Sequence, residues 1–233
     1  MTAIFKREFK AYFSTPIGYI VLAVYFFFLG LLFSVSYSYG DPDITAVISG
    51  VTLISAFATP VLTMRLISED RRQKVDQVLI TSPVSLTGIV LGKFFAALSV
   101  FALGFAPTVI FRAIIGAYVQ VSITAYLYAL FGMILLGAAL ISIGMFISSL
   151  TESPVISAIL SIAVNMVVIY MTNFSQMTNN TFFASLFEKM AFIDKYVSFT
   201  ENIFSIPDVV YFLSIAAAFV FLTVRSMEKK RWS

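Results

Sequence analysis

The residues best suited to chemistry form one charged stretch in an otherwise apolar sequence. From Arg65 to Asp76, seven of the twelve side chains are charged. Mixed guanidinium and carboxylate groups form directional ion pairs, so they suit recognition of a protein partner or of lipid headgroups. The sequence contains no His and no Cys, which excludes thiol chemistry, His-based acid–base catalysis and most zinc or haem sites. The stretch therefore indicates binding rather than catalysis.

Residue order within this stretch predicts a short amphipathic helix over residues 68–81. Ser68 can cap the helix, and the acidic pair Glu69 and Asp70 lies where the helix dipole favours anions. Val75, Val78 and Leu79 then share one face, and Pro83 ends the pattern. Such a helix could dock on a partner through its apolar stripe, or it could be a loop whose cations hold lipid headgroups. The residues alone leave both alternatives open.

Composition places this helix in an all-α polytopic membrane protein. Apolar residues make up 60% of the chain, charged residues 12%, and the mean hydropathy is +0.96. Soluble proteins carry about 25% charged residues. The apolar runs are continuous rather than alternating, which disfavours a barrel. Residues 1–233 are predicted to form one membrane domain with six spans, at 17–38, 44–66, 89–112, 122–148, 154–174 and 207–227.

Two amphipathic segments flank these spans. Residues 2–14 place Lys6, Arg7 and Lys10 opposite an aromatic face, which predicts a helix lying in the membrane interface. Residues 175–206 are too polar to span and are expected to form one or two helices at the outer surface. Within the second span, Pro60 is expected to produce a kink.

The distribution of cations predicts the orientation in the membrane. With six spans, twelve of the fifteen Lys and Arg residues lie on the side that holds both termini, and three lie opposite. This positive-inside bias makes both termini cytoplasmic. The sequence pI near 9.1 then reflects topology, so no nucleic-acid partner is expected.

Three parts of the chain resemble ABC-2 type transporter permeases. In the charged stretch, Glu69 and Arg71-Arg72 precede the segment from Val75 to Ser85, which reads V-D-Q-V-L-I-T-S-P-V-S, similar to the family's signature. The opening from Phe5 to Tyr19 and the last span with its tail look like the gliding-motility-associated and copper-enzyme-maturation branch. The chain has Lys74-Val75 where the family often has Gly-Thr, and Asp76 where it more often has Glu.

This resemblance implies a permease subunit that is not itself an enzyme. Two ATP-binding subunits would hold ATP and Mg²⁺, and a second copy or a related permease would complete the dimer. The coupling helix 68–81 would dock on the ATP-binding subunits. An extracytoplasmic accessory subunit would meet segment 175–206, and the protein would sit in the cell inner membrane. The docking residues would be Glu69, Asp70, Arg71, Arg72, Val75, Asp76, Val78 and Leu79.

Two further polar residues are candidate sites. Glu152, in the predicted second inner loop, is either a second docking contact or a capping residue, and we favour capping. Asn165, within the fifth span, either lines a path through the membrane core or bonds a neighbouring helix, and we favour the bond. An ion-coupled carrier or channel is the alternative function. An intramembrane protease is disfavoured because the spans contain neither His nor a carboxylate pair.

Overall fold

The structure is helical throughout the part of the chain that it describes. The computed structural model describes residues 1–40, 43–72, 85–118, 122–177 and 181–231, and these ranges contain no strand. The predicted all-α architecture is therefore confirmed for these residues. In chain order the helices are α1 (Thr2–Ser14), α2 (Pro16–Ser38), α3 (Ile44–Gly50), α4 (Thr52–Thr63), α5 (Ser68–Arg72), α6 (Leu86–Leu103), α7 (Pro107–Gly116), α8 (Ile123–Leu150), α9 (Pro154–Ile169), α10 (Met171–Met177), α11 (Thr181–Met190), α12 (Phe192–Thr200) and α13 (Ile206–Arg231).

Several of these helices could span a membrane. Among the described residues, four helical stretches are long and apolar enough, and α3 with α4 makes a fifth if this bent pair counts as one span. The sequence predicted six spans, whereas the described residues supply four or five. The structure therefore supports a multi-pass membrane protein with fewer candidate spans than predicted. The four stretches are Pro16–Ser38, Leu86–Gly116, Ile123–Leu150 and Ile206–Lys229.

The difference lies at the predicted fifth span, residues 154–174. Helix α9 ends at Ile169 after 16 residues, which is a length of about 24 Å against a hydrocarbon core of about 30 Å. The chain turns at Tyr170, and the Thr172 hydroxyl then bonds Asp194 Oδ1 of α12 at 3.1 Å. The residues after Tyr170 thus form the separate helix α10, which Thr172 bonds to α12.

The second predicted span bends at a different place from the one expected. The axes of α3 and α4 differ by 48°, and the break falls at Val51. Helix α4 continues through Pro60 to Thr63, so the expected kink at Pro60 is not the main bend. At the break, a Cβ added to Gly50 would lie 2.8 Å from Leu32 Cδ1 of α2. Close packing against α2 therefore accompanies the bend.

Helix α8 is the centre of the bundle, and it packs against α3, α4, α6, α9, α12 and α13. Small residues on this helix allow the close approach. A Cβ on Gly137 would lie 2.2 Å from the Phe101 ring of α6, and one on Gly144 would lie 2.3 Å from Thr63 Oγ1 of α4. Close backbone approach through small residues is the usual means of helix packing in lipid.

Both ends of the described chain lie at the same end of this bundle. Ile4 of α1 packs on Gly92 of α6, while Ser226 of α13 donates a hydrogen bond to the Ser149 carbonyl at the end of α8. We call this region the charged end, because Glu8, Glu69, Asp70 and Lys93 meet there.

Helices α10 to α12 lie towards the opposite end of α8. Phe199 of α12 packs on Gly132, and the Tyr196 hydroxyl lies 3.5 Å from the Ala129 carbonyl oxygen. Both contacts fall in the first half of α8, whereas the charged end adjoins its last residues. The predicted segment 175–206 therefore contributes helices at the end of the bundle away from the termini.

Candidate functional site

A buried lysine joins three helices at the charged end. Lys93 of α6 is only 1% exposed. Its Nζ lies 3.0 Å from Glu8 Oε1 of α1 and 2.8 Å from Asp70 Oδ2 of α5. An ammonium group buried in an apolar bundle is tolerated only when charged or hydrogen-bonding partners surround it. Lys93 therefore ties the start of the predicted coupling helix to the predicted interfacial helix.

Glu8 is ionised in this arrangement. Burial by itself raises the pKa of Glu8, but Lys93 and Arg7 together outweigh it and hold the pKa below its ordinary value. Arg7 Nη2 lies 2.5 Å from the same oxygen, Glu8 Oε1. One carboxylate thus accepts from two cations, and the cluster keeps opposite charges together at neutral pH.

Helix α1 is also attached to the end of α4. The Tyr12 hydroxyl donates to the Leu62 carbonyl oxygen at 2.7 Å, and burial raises the pKa of this hydroxyl, so it remains a donor. On the other face of α1, Lys6, Arg7 and Lys10 are exposed. The sequence predicted the basic face of α1, but it placed the aromatic face in the membrane interface and did not predict its contacts with α4 and α6.

The turn that leads into α5 is held by a serine of the central helix. Ser148 Oγ accepts hydrogen bonds from the backbone nitrogens of Ile67 and Ser68, at 3.3 and 3.1 Å, and lies 3.3 Å from the Met64 carbonyl oxygen. The Ser68 hydroxyl also donates to the Met64 carbonyl. The backbone groups of this buried turn are thereby satisfied by a side chain from α8.

The structure distributes the described docking candidates between internal and surface roles. Glu69 pairs with Arg65, and Asp70 pairs with Lys93. Arg71 is buried at 6% exposure, whereas Arg72 is exposed. Among residues 68–72, Arg72 is thus the candidate whose side chain is most available to another molecule. Val75, Asp76, Val78 and Leu79 lie outside the described residues.

Glu152 lies near the same end of the bundle. It is exposed and occupies the short connection between α8 and α9, both of which contact α5. In that connection the Ser153 side chain accepts from the backbone nitrogen of Ile156 and caps α9. The observed cap of α9 is therefore Ser153, and Glu152 lies exposed on the connection that precedes it.

Asn165 lies in a polar seam inside the bundle. It is fully buried, and its Nδ2 donates to Thr59 Oγ1 of α4 at 3.1 Å. Ser157 and Ser161 lie on the same face of α9 and are also fully buried. The seam continues through Ser55 of α4, which accepts from the Tyr25 hydroxyl of α2 at 2.9 Å. Asn165 therefore makes a hydrogen bond between helices, the favoured alternative.

The cluster at the charged end includes residues that the sequence did not assign to a site. Glu8, Lys93 and Ser148 were not candidates, because their partners are far away in sequence. One signal was available: Lys93 lies within a predicted span, and a cation inside a span usually has a specific partner. Among the described ranges, no group of three or more His, Cys, Asp or Glu side chains could hold a metal ion.

No protein-family model matches the chain, and no curated protein matches it.

Proposed function

We propose that the chain is the membrane-spanning permease subunit of an ABC-2 type transporter. It couples ATP hydrolysis by two separate ATP-binding subunits to export, or to force transmission across the membrane. ATP and Mg²⁺ are held by those subunits, because this sequence lacks the G-x-x-x-x-G-K-[ST] loop that binds nucleotide phosphates. A second copy or a related permease completes the membrane unit.

The observation that supports this proposal is the attachment of α5 at three points. Asp70 pairs with Lys93 of α6, the backbone at Ser68 bonds Ser148 of α8, and Arg65 pairs with Glu69 across the turn from α4. A docking helix can transmit force only if its own displacement moves the membrane helices. These contacts connect the first turn of the predicted coupling helix to α6 and to the central helix α8 at the charged end.

In this proposal the charged end faces the cytoplasm of a cell inner membrane. The positive-inside bias of the sequence supports this orientation. The six spans of the proposed topology take α3 with α4 as the second span and the short α9 as the fifth. Helices α10 to α12 then lie at the outer face, where an extracytoplasmic accessory subunit would dock.

The contact with the ATP-binding subunit is proposed to centre on Arg72 and on residues 73–84, which follow it in sequence. Arg72 is exposed, while the neighbouring Asp70 and Arg71 face the bundle. Asp70 therefore positions the docking helix. Glu152 lies on the exposed connection between α8 and α9, both of which contact α5, and it is proposed as a second, smaller contact.

An ion-coupled carrier or channel is the alternative function. Such a protein usually places ionisable groups in the membrane core, where they bind or relay the ion. In the described part of α6, Lys93 is buried but already paired with two carboxylates at the charged end. This pairing favours a structural role for Lys93 over ion transport.

The test is co-purification of the full-length chain from its native membranes. The proposal expects an ATP-binding subunit to remain bound and the complex to hydrolyse ATP. Arg72→Glu should abolish this association, whereas Lys10→Glu, a charge reversal on the exposed face of α1, should preserve it. A preparation without any ATP-binding subunit, or one that Arg72→Glu leaves intact, would overturn the proposal.

A further inference from the structure

A charged cleft opens at the bundle surface between α1, α2, α4 and α5. Its volume is about 270 Å³, and its lining includes Arg7, Glu8, Arg65, Glu69 and Asp70. The same lining includes the apolar side chains of Ile17 on α2 and Leu62 on α4. The cleft thus combines two cations and three carboxylates with apolar side chains.

An apolar groove of about 650 Å³ lies between α2 and the pair α3 and α4. Apolar side chains and Gly50 line it, including Val24 and Leu31 of α2 and Phe57 of α4. Its α2 wall runs from Ile20 to Leu32, which is about 18 Å along a helix axis. This is close to half of a hydrocarbon core of about 30 Å, which is the depth of one leaflet.

The cleft and the groove continue one another along the same helix faces. On α2, Ile17 of the cleft is followed by Ile20, Val21 and Val24 of the groove, which recur at helical spacing. On α4, Ala58 of the groove and Leu62 of the cleft are four residues apart and therefore share one face. A molecule with a charged head and a long apolar tail would match this surface along its length.

We propose that the cleft and the groove together bind one glycerophospholipid with a primary ammonium headgroup, of the phosphatidylethanolamine type. The phosphate lies between Arg7 and Arg65, the ammonium faces Glu8 and Glu69, and an acyl chain follows the groove towards Leu31. The lipid bridges the predicted interfacial helix and the first turn of α5.

The charged side chains that line the cleft select this headgroup over the other common phospholipid headgroups. Each guanidinium has five N–H donors. Arg65 uses its Nε and Nη2 on Glu69, and Arg7 uses the same two nitrogens on Glu8. Among the described residues, this leaves Nη1 of each arginine for a phosphate. A purely anionic headgroup would meet the carboxylates. A choline group carries no N–H with which to bond them, whereas an ammonium group has three.

The lipid site is independent of the proposed transport function, since it requires only that these helices lie in a membrane. The test is native mass spectrometry of the full-length protein titrated with phosphatidylethanolamine, phosphatidylglycerol or phosphatidylcholine of identical acyl chains. The expected result is one retained phosphatidylethanolamine, bound about tenfold more tightly than either other lipid.

Two variants separate the headgroup from the groove. The double variant Arg65→Gln/Glu69→Gln removes both partners of one ion pair, so neither charge is left unpaired by the other. It should make the affinities for the three lipids equal. Leu53→Trp places bulk in the groove from an exposed position and should weaken all three lipids by about tenfold. The matched controls are Lys10→Gln on α1 and Leu127→Trp on α8, both exposed and outside the two cavities.

Three outcomes would overturn the site. Equal binding of the three lipids to the unmodified protein would remove headgroup selection. A control variant that changes lipid binding as much as its test variant would place the lipid elsewhere. A protein without bound lipid whose groove cross-links to a second copy would show that protein fills the groove.

Discussion

Lys93 Nζ lies 2.8 Å from Asp70 Oδ2, so a buried cation inside one apolar helix holds the first turn of another. Glu8 completes the cluster from a third helix at 3.0 Å. The three residues are far apart in sequence, and their meeting fixes how α1, α5 and α6 are arranged at the charged end. Asp70 is thus one of the contacts that attach α5 to the bundle, together with the backbone of Ser68 on Ser148.

Removal of the lysine should destabilise the protein strongly. Lys93→Met leaves two partly buried carboxylates facing each other, and loss of one partner from a buried ion pair costs about 3–5 kcal/mol. The measurement is thermal unfolding in detergent, with the exposed Lys10→Met as the control. A triple variant that also carries Glu8→Gln and Asp70→Asn should recover most of the loss, because the charge left without its partner is then that of Arg7, which is exposed to solvent. Equal unfolding temperatures of Lys93→Met and the control would show that Lys93 does not stabilise the protein through Glu8 and Asp70.

The pKa of Glu8 predicts an acid-dependent loss of stability. Its folded pKa lies below its ordinary value of 4.5, so ionised Glu8 stabilises the folded state fully above about pH 4.5. That contribution is lost as pH falls below 4.5 and through the folded pKa. Unfolding temperature should therefore fall more steeply over this window in the unmodified protein than in Glu8→Gln. If the unfolding temperatures of the two proteins had parallel pH profiles, Lys93 and Arg7 would not lower the pKa of Glu8 in the folded state.

Ser148 should control the order of the turn before α5. Ser148→Ala removes the acceptor of two buried backbone N–H groups, which costs about 1–3 kcal/mol. Hydrogen exchange at Ile67 and Ser68 should accelerate accordingly. The matched control is Ser99→Ala, because the Ser99 hydroxyl bonds only the Phe95 carbonyl of its own helix among the described residues. Unchanged exchange in Ser148→Ala would remove this serine from the attachment of α5.

Asn165 and Thr59 should behave as an energetically coupled pair. A hydrogen bond between membrane helices contributes about 0.5–2 kcal/mol. A double-mutant cycle of Asn165→Ala and Thr59→Val, read by unfolding in detergent, should return a coupling energy in this range. Additive effects on stability, together with changed transport or conductance, would instead assign Asn165 to a path through the membrane core.

The close packing of α8 predicts sensitivity to a single methyl group. Gly137→Ala would place a Cβ 2.2 Å from the Phe101 ring, and overpacking of this kind costs about 1–3 kcal/mol. Gly30→Ala is the matched control, because a Cβ there meets nothing within 4 Å. Unfolding temperature should fall for the first variant and stay constant or rise for the second. Equal stability of the two variants would mean that α6 can move away from α8 without loss.

The sequence predicted the helical class, the basic face of α1 and the bounds of the first long helix closely. These features depend on local apolar runs and on helical periodicity, which a single sequence displays directly. It did not predict the bend at Val51 or the early end of α9 at Ile169. Both depend on contacts with other helices, namely Leu32 against Gly50 and Asp194 with Thr172.

The candidate site was predicted in part. The acidic and basic residues of α5 stood out by composition, but their division into inward and outward groups could not be read from local order. Asp70 and Arg71 are adjacent to Arg72 in sequence, yet the first two face the bundle. That division depends on Lys93 and Ser148, whose distance from α5 in sequence hides the contact.

The most direct measurement of the central claim is cross-linking from Arg72. The sequence contains no Cys, so Arg72→Cys supplies a single site for a maleimide that carries a photoreactive group. In native membranes the account predicts one adduct, with an ATP-binding subunit, and predicts that Lys10→Cys on α1 does not form it. Adducts with lipid alone, or the same adduct from both positions, would contradict the assignment of α5 as the docking helix.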